Sequence, residues 1–101
     1  MVYFLMEESP YQPGKYMITP NFPLLPLKGT RGSYNILAAR IMNLTYADFL
    51  RLCRDVYGAD IMGKGHKYCV AYFPSTKKVQ PLLDELNMRT KFLLNKRNNE
   101  I

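Results

Sequence analysis

The distribution of proline constrains the fold of this chain more than any other feature. Five of the seven prolines lie in the first thirty residues. Proline has a fixed φ and no backbone N–H, so it breaks the interior of a helix and removes a hydrogen bond from a central strand. Residues 1–30 are therefore predicted to contain no helix, and any helices must come from residues 31–101.

The proline-rich region is predicted to be an extended N-terminal arm that can include a short hairpin. Val2–Met6 and Lys15–Thr19 have strand character, and the residues between them favour a turn. The following stretch, NFPLLPLKG, alternates proline with apolar side chains that need a groove on this domain or on a partner. We expect the arm to dock on other protein subunits through Phe22, Leu24, Leu25 and Leu27.

Residues 31–101 are predicted to form a compact helical domain. A first helix is expected over about residues 33–42. A second has the clearest signals, because Thr45 suits an N-cap, Asp48 follows three residues later, and Gly58 suits a C-terminal cap. Phe49 and Cys53 lie on the apolar stripe between the caps.

A hairpin and a long helix complete this domain. Asp60–Met62 and His66–Phe73 are predicted as strands, and the last helix as regular from about residue 78 to Lys96, because Pro81 is tolerated only in a first turn. The predicted class is α+β, a small mainly helical domain of about three helices with one β-hairpin, behind the arm. At 101 residues the chain is long enough for one packed core.

Residues 58–67, GADIMGKGHK, nearly match a phosphate-binding loop. Gly58, Gly63 and Lys64 fit the pattern, but Gly65 stands where the loop needs Ser or Thr. The order is also reversed, because a helix precedes this stretch and a strand follows it, whereas the loop joins a strand to a helix. The stretch is therefore interpreted as a helix cap, a short strand and a two-glycine turn.

The excess positive charge is confined to residues 31–101, which carry the whole net charge of +6. Such a balance favours contact with DNA, RNA or an acidic protein. Arg89 is expected to pair with Glu85, and Arg51 with Asp55, one helical turn apart. Five other basic residues have no obvious local partner in the sequence, and together with the single histidine they are predicted to contact nucleic acid or another anion. They are Arg54, Lys64, His66, Lys67, Lys77 and Lys78.

Catalytic, metal and cofactor sites are not predicted. His66 and Cys69 with Cys53 fall short of the four ligands of structural zinc, and Cys53 lies in an apolar stripe, where a thiol acts as a buried hydrophobe. The start, MVYFLMEESP, lacks the features of a signal peptide, and no stretch approaches the ~20 apolar residues of a membrane span. We expect a protein that is cytoplasmic or incorporated into a particle assembled in the cytoplasm, without a membrane partner.

Two function classes follow from these patterns. The first is a non-enzymatic basic subunit or accessory protein of a larger assembly, of the viral or nucleoprotein particle type, which docks through the arm. The alternative is a free-standing nucleic-acid-binding regulator whose hairpin at 60–73 acts as a wing. The order of elements is similar to a winged helix-turn-helix, although that fold normally places three helices before its wing.

Overall fold

The computed structural model describes residues 1–27, 29, 31–62 and 70–99, and gives the backbone alone for residues 31, 32 and 97–99. The described chain is a compact α+β unit of three helices and two small antiparallel sheets, as predicted at that level. In chain order the elements are β1 (Phe4–Glu8), β2 (Tyr16–Pro20), α1 (Arg31–Ile41), α2 (Tyr46–Tyr57), β3 (Asp60–Met62), β4 (Val70–Tyr72) and α3 (Gln80–Asn99).

The N-terminal region begins with a regular hairpin. β1 and β2 pair antiparallel, from Phe4 opposite Pro20 to Glu8 opposite Tyr16. The connecting loop is closed by a hydrogen bond from the Ser9 N–H to the Lys15 carbonyl at 2.8 Å. The Ser9 hydroxyl also accepts from two loop amides at 3.1 Å each. The backbone donors of this turn are thus satisfied locally, as short polar turns require.

The extended arm predicted over residues 1–30 is not confirmed. Phe4, Met17 and Ile18 are fully buried, and Phe4 and Ile18 belong to the same hydrophobic cluster as Leu82 and Leu86 of α3. The physical reason is that the antiparallel register places Phe4, Met6 and Ile18 on one face of the hairpin, where burial against the helices stabilises them. Met17 lies on the opposite face and is buried there.

Backbone and side-chain hydrogen bonds attach the hairpin to the rest of the chain. The side-chain oxygen of Asn87 accepts from the N–H groups of Tyr3 and Phe4 at 2.7 Å each, and its amide donates to the Phe4 carbonyl at 3.2 Å. Tyr16 and Phe73 exchange a pair of backbone hydrogen bonds at 2.9 and 2.8 Å. The first hairpin is therefore joined both to α3 and to the chain just after β4.

α2 agrees closely with its sequence prediction. The Thr45 hydroxyl accepts from the Asp48 N–H at 3.1 Å, which satisfies one of the unpaired donors of the first turn. Gly58 ends the helix in the left-handed conformation with φ 70°, and its N–H donates to the Cys53 carbonyl. Phe49 and Cys53 are buried on the inner face.

The second hairpin and the last helix also follow the prediction in outline. β3 and β4 pair antiparallel, while residues 63–69, including the predicted turn, lie outside the described part of the chain. α3 begins at Gln80, after a turn at 76–79, so Pro81 falls in its first turn where no N–H is needed. Its inner face buries Leu82, Leu83, Leu86 and Thr90, and Val79 is buried in the turn before it.

Candidate interaction surfaces

The stretch after the first hairpin, residues 21–27, is called the docking segment below. Asn21 anchors it, because its N–H donates to the Tyr3 carbonyl at 2.8 Å and its side-chain amide donates to the Val2 carbonyl at 2.7 Å. The Asn21 carbonyl accepts from the N–H groups of Leu24 and Leu25 at 3.0 and 2.8 Å. The segment is thus a bonded turn against the hairpin rather than a free extended strand.

Three of the four predicted docking residues face solvent. Phe22 is 64% exposed, Leu24 39% and Leu27 37%. Leu25 instead packs against the hydrophobic core and is only partly accessible. The structure therefore divides the predicted set into one anchor, Leu25, and three side chains presented outward.

Three members of the predicted anion-binding set, Lys64, His66 and Lys67, lie outside the described residues. Arg54 is described, and the expectation that it has no local partner is wrong, since its Nε lies 2.9 Å from the Asp55 carboxylate. This hydrogen bond and ion pair raise the pKa of Arg54, and the hydrogen bond from Arg54 lowers the pKa of Asp55. Both side chains of this pair are exposed on α2, and contact of Arg54 with an anion stays a prediction.

The neighbouring pair explains that error. Arg51 was expected to bond Asp55, but it pairs with Asp48 at 3.1 Å, three residues earlier. Both spacings join neighbouring positions on a helix surface, so the sequence alone does not decide between them. With Arg51 engaged at the start of α2, Asp55 is left to pair with Arg54.

Lys77 and Lys78 lie in the turn before α3, and both are exposed. Lys78 reaches the C-terminal end of α2. Its Nζ lies close to Gly58, 3.8 Å from the position that a Cβ atom on that glycine would occupy. A cation is stabilised there by the partial negative charge of the helix end. Lys78 thus meets α2 at the end whose last turn carries Arg54.

An apolar surface that sequence reasoning missed lies on α3 beside the end of α1. Met88 is 59% exposed, Phe92 69% and Leu93 49%. With Ile41 they line a groove of about 510 Å³ whose rim includes Arg40 and an Arg89–Glu85 ion pair of 2.6 Å. The ion pair was predicted, but the groove was not. The available signal was that Met88 and Phe92 lie one helical turn apart and off the helix face that carries Leu82, Leu86 and Thr90.

Cys53 has the character of a core residue. It is fully buried, and burial raises the pKa of its thiol to about 12. A thiol that stays protonated at neutral pH is neither a good nucleophile nor a good metal ligand. Among the described side chains, no three of the types His, Cys, Asp and Glu come together in a way that could hold a metal ion.

None of the helices in the described ranges combines the length and the apolar character that crossing a membrane requires. Comparison with protein-family models, with curated proteins and with solved structures found no match for this chain.

Proposed function

We propose that this protein is a non-enzymatic basic accessory subunit that docks on a larger protein assembly through the docking segment, residues 21–27. The observation that carries the proposal is the exposure of Phe22, Leu24 and Leu27 on a turn anchored by hydrogen bonds. Apolar side chains clustered on the surface are typical of protein contact sites.

The anchoring of the segment favours binding energetically. Bonds from Asn21 to the carbonyls of Val2 and Tyr3, and the packing of Leu25, already order the backbone in the free protein. Binding to a partner would therefore cost less conformational entropy than it would for a disordered arm. Covering an apolar side chain of this size contributes up to about 1.5–3 kcal/mol. Phe22 and Leu24 are therefore expected to contribute most of the binding free energy with the partner.

The positive charge of the protein favours a binding surface on the assembly that is acidic. The net charge is +6, and the four ion pairs among the described residues involve only Lys15, Arg51, Arg54 and Arg89. Lys77 and Lys91 take part in none of these pairs. Unpaired surface cations steer a protein toward a partner of opposite charge.

The test is purification of the tagged full-length chain from the cells that express it, followed by identification of bound proteins with and without nuclease. We expect a stoichiometric protein partner that resists nuclease and is lost when Phe22→Ser and Leu24→Ser are combined. Val56→Ser is the matched control, because Val56 is 54% exposed on α2, away from the docking segment in sequence. A partner that binds the double variant as strongly as the control contradicts the proposal.

Nucleic acid is a second candidate ligand, favoured by the position of Lys77 and Lys78. Both lie exposed in the turn shortly after β4, next to the hairpin that would serve as a wing in a winged-helix-like regulator. Under this alternative, oligonucleotide affinity falls steeply with salt. Lys77→Ala with Lys78→Ala flattens that salt slope by about one unit for each phosphate that the variant no longer neutralises. Affinity that is indifferent to both salt and the double substitution excludes the alternative.

A further inference from the structure

The solvent side of α3 carries a stripe of four residues at four-residue spacing, called the α3 stripe below: Asp84, Met88, Phe92 and Lys96. All four are exposed. Residues four apart form one continuous ridge on a helix surface, so the stripe has an acidic end, two large apolar side chains and a basic end.

The core of this domain does not account for the apolar part of the stripe. Successive residues of a helix are about 100° apart, so Met88 lies about 200° from both Leu86 and Thr90. Leu86 and Thr90 are buried, which directs Met88 away from the core. Phe92, one turn further on, is 69% exposed. Two large apolar side chains on the outer face of one helix indicate a contact with another molecule.

The charged ends of the stripe are available for such a contact. Asp84 accepts a hydrogen bond from the Gln80 side chain at 2.8 Å, but it belongs to none of the ion pairs found among the described residues. Lys96 is likewise in none of them. The nearby Glu85 is already paired with Arg89 at 2.6 Å.

The order of these residues makes the stripe complementary to itself when it is reversed. Met88 and Phe92 each lie two residues from Thr90 along the helix, and Asp84 and Lys96 each lie six. An antiparallel copy therefore sets Met88 against the partner's Phe92, and Asp84 against the partner's Lys96. A parallel copy would instead set like charges against each other.

We propose that α3 forms an antiparallel two-fold homodimer through the α3 stripe. A two-fold interface uses the same patch on both subunits, which is the self-complementary relation that the stripe offers. Ridges of four-residue spacing pack against each other at about −50°, the commonest class of helix contact. The groove beside the stripe, with Ile41 and Leu93 in its wall, can accommodate the partner's apolar side chains.

The charges favour a second copy over an acidic protein as the occupant. A uniformly acidic partner would gain from Lys96 but would be repelled by Asp84, whereas a second copy satisfies both ends at once. The proposal uses no residue of the docking segment and is independent of the proposed function. Because four side chains bury less than the ~800 Å² per partner of standard interfaces, a weak dimer is expected, with Kd roughly 10–100 µM.

The first measurement is sedimentation equilibrium of the full-length chain from ~5 to ~500 µM. A reversible monomer–dimer equilibrium is expected, and Phe92→Ser is expected to raise Kd at least about tenfold by removing the largest apolar contact. Val56→Ser, which changes an exposed apolar residue on α2, leaves Kd unchanged. A wild-type chain that stays monomeric throughout overturns the proposal, even if another protein covers this face.

The second measurement is the dimer Kd of variants in which the charges at Asp84 and Lys96 are reversed, singly and together. Asp84→Lys and Lys96→Asp are each expected to raise Kd about three- to tenfold, because each sets like charges against one another. The double variant restores the opposite-charge pairs and returns Kd to within about threefold of wild type. Both substitutions place the less favourable charge near a helix end, so the recovery does not come from a more stable helix. Circular dichroism confirms the fold of each variant, and a double variant weaker than both singles overturns the proposal.

Discussion

The two parts of the proline-rich region, the hairpin over residues 4–20 and the docking segment over 21–27, share a composition but differ in their surroundings. Phe4, Met17 and Ile18 of the hairpin are fully buried, while Phe22 is 64% exposed. The hairpin has a regular pairing partner for each strand, and it buries side chains on both of its faces, Phe4 and Ile18 on one and Met17 on the other. Pro23 and Pro26 deny the docking segment such pairing. The comparison shows that strand pairing brought the hairpin into the core, whereas the unpaired docking segment packs Leu25 against it and leaves Phe22 and Leu24 exposed.

Removing the Phe4 ring tests the buried side of this comparison and should have the largest effect. Phe4→Ala is expected to lower the free energy of unfolding by about 3–5 kcal/mol, because it leaves a cavity in a fully buried site. Urea unfolding measures the change, and Val2→Ala, at a 52% exposed neighbour, should change stability by less than about 0.5 kcal/mol. Equal effects of the two substitutions would mean that the hairpin is not part of the core.

A substitution at Asn87 tests whether its hydrogen bonds hold the hairpin against α3. Asn87→Ala is expected to cost about 2–3 kcal/mol of unfolding free energy, because it leaves the N–H groups of Tyr3 and Phe4 without their acceptor. Thermal unfolding provides the measurement. Asn95→Ala, an exposed asparagine on the same helix, is the matched control and should be close to neutral. A neutral Asn87→Ala would contradict the attachment described above.

Leu24 and Leu25 allow the same comparison of exposed and buried side chains within the docking segment. Leu25→Ala is expected to lower the free energy of unfolding by about 1–2 kcal/mol, less than for a fully buried leucine, since Leu25 is only partly buried against the core. Leu24→Ala, 39% exposed, should cost less than about 0.5 kcal/mol. Chemical denaturation of both variants measures these changes. A larger loss of stability for Leu24→Ala than for Leu25→Ala would show that Leu24, not Leu25, packs against the core.

Phe22 should give the smallest change in stability. Phe22→Ser is expected to alter the free energy of unfolding by less than about 0.5 kcal/mol, because the ring is 64% exposed and its contacts are few. The same variant is expected to weaken partner binding, so unfolding and binding should be measured on one preparation. A large loss of stability would place Phe22 in the core of the free protein and remove it from the docking surface.

The candidate sites were only partly predictable from the sequence. The sequence placed Phe22, Leu24, Leu25 and Leu27 in one docking set and left open whether their groove was on this domain or on a partner. Only the structure separates Leu25, which packs against the core, from the other three, which are exposed. Arg54 was assigned to a ligand because Asp55 was expected to pair with Arg51, which left Arg54 without a local partner. In the structure Arg51 pairs with Asp48, a choice that depends on side-chain placement. The position of Met88 and Phe92 off the buried face of α3 could have been inferred from the sequence, but the groove that they form with Ile41 of α1 could not.

The sequence by itself determined the elements whose signals are local. Thr45 and Gly58 set the ends of α2 through bonds within their own turns, and Pro81 limited where α3 could begin. The tertiary structure alone decided that residues 4–20 belong to the core, because that depends on Asn87 and Phe73, which are distant in sequence. Capping needs only neighbouring residues, whereas burial depends on what the rest of the chain brings to the same place.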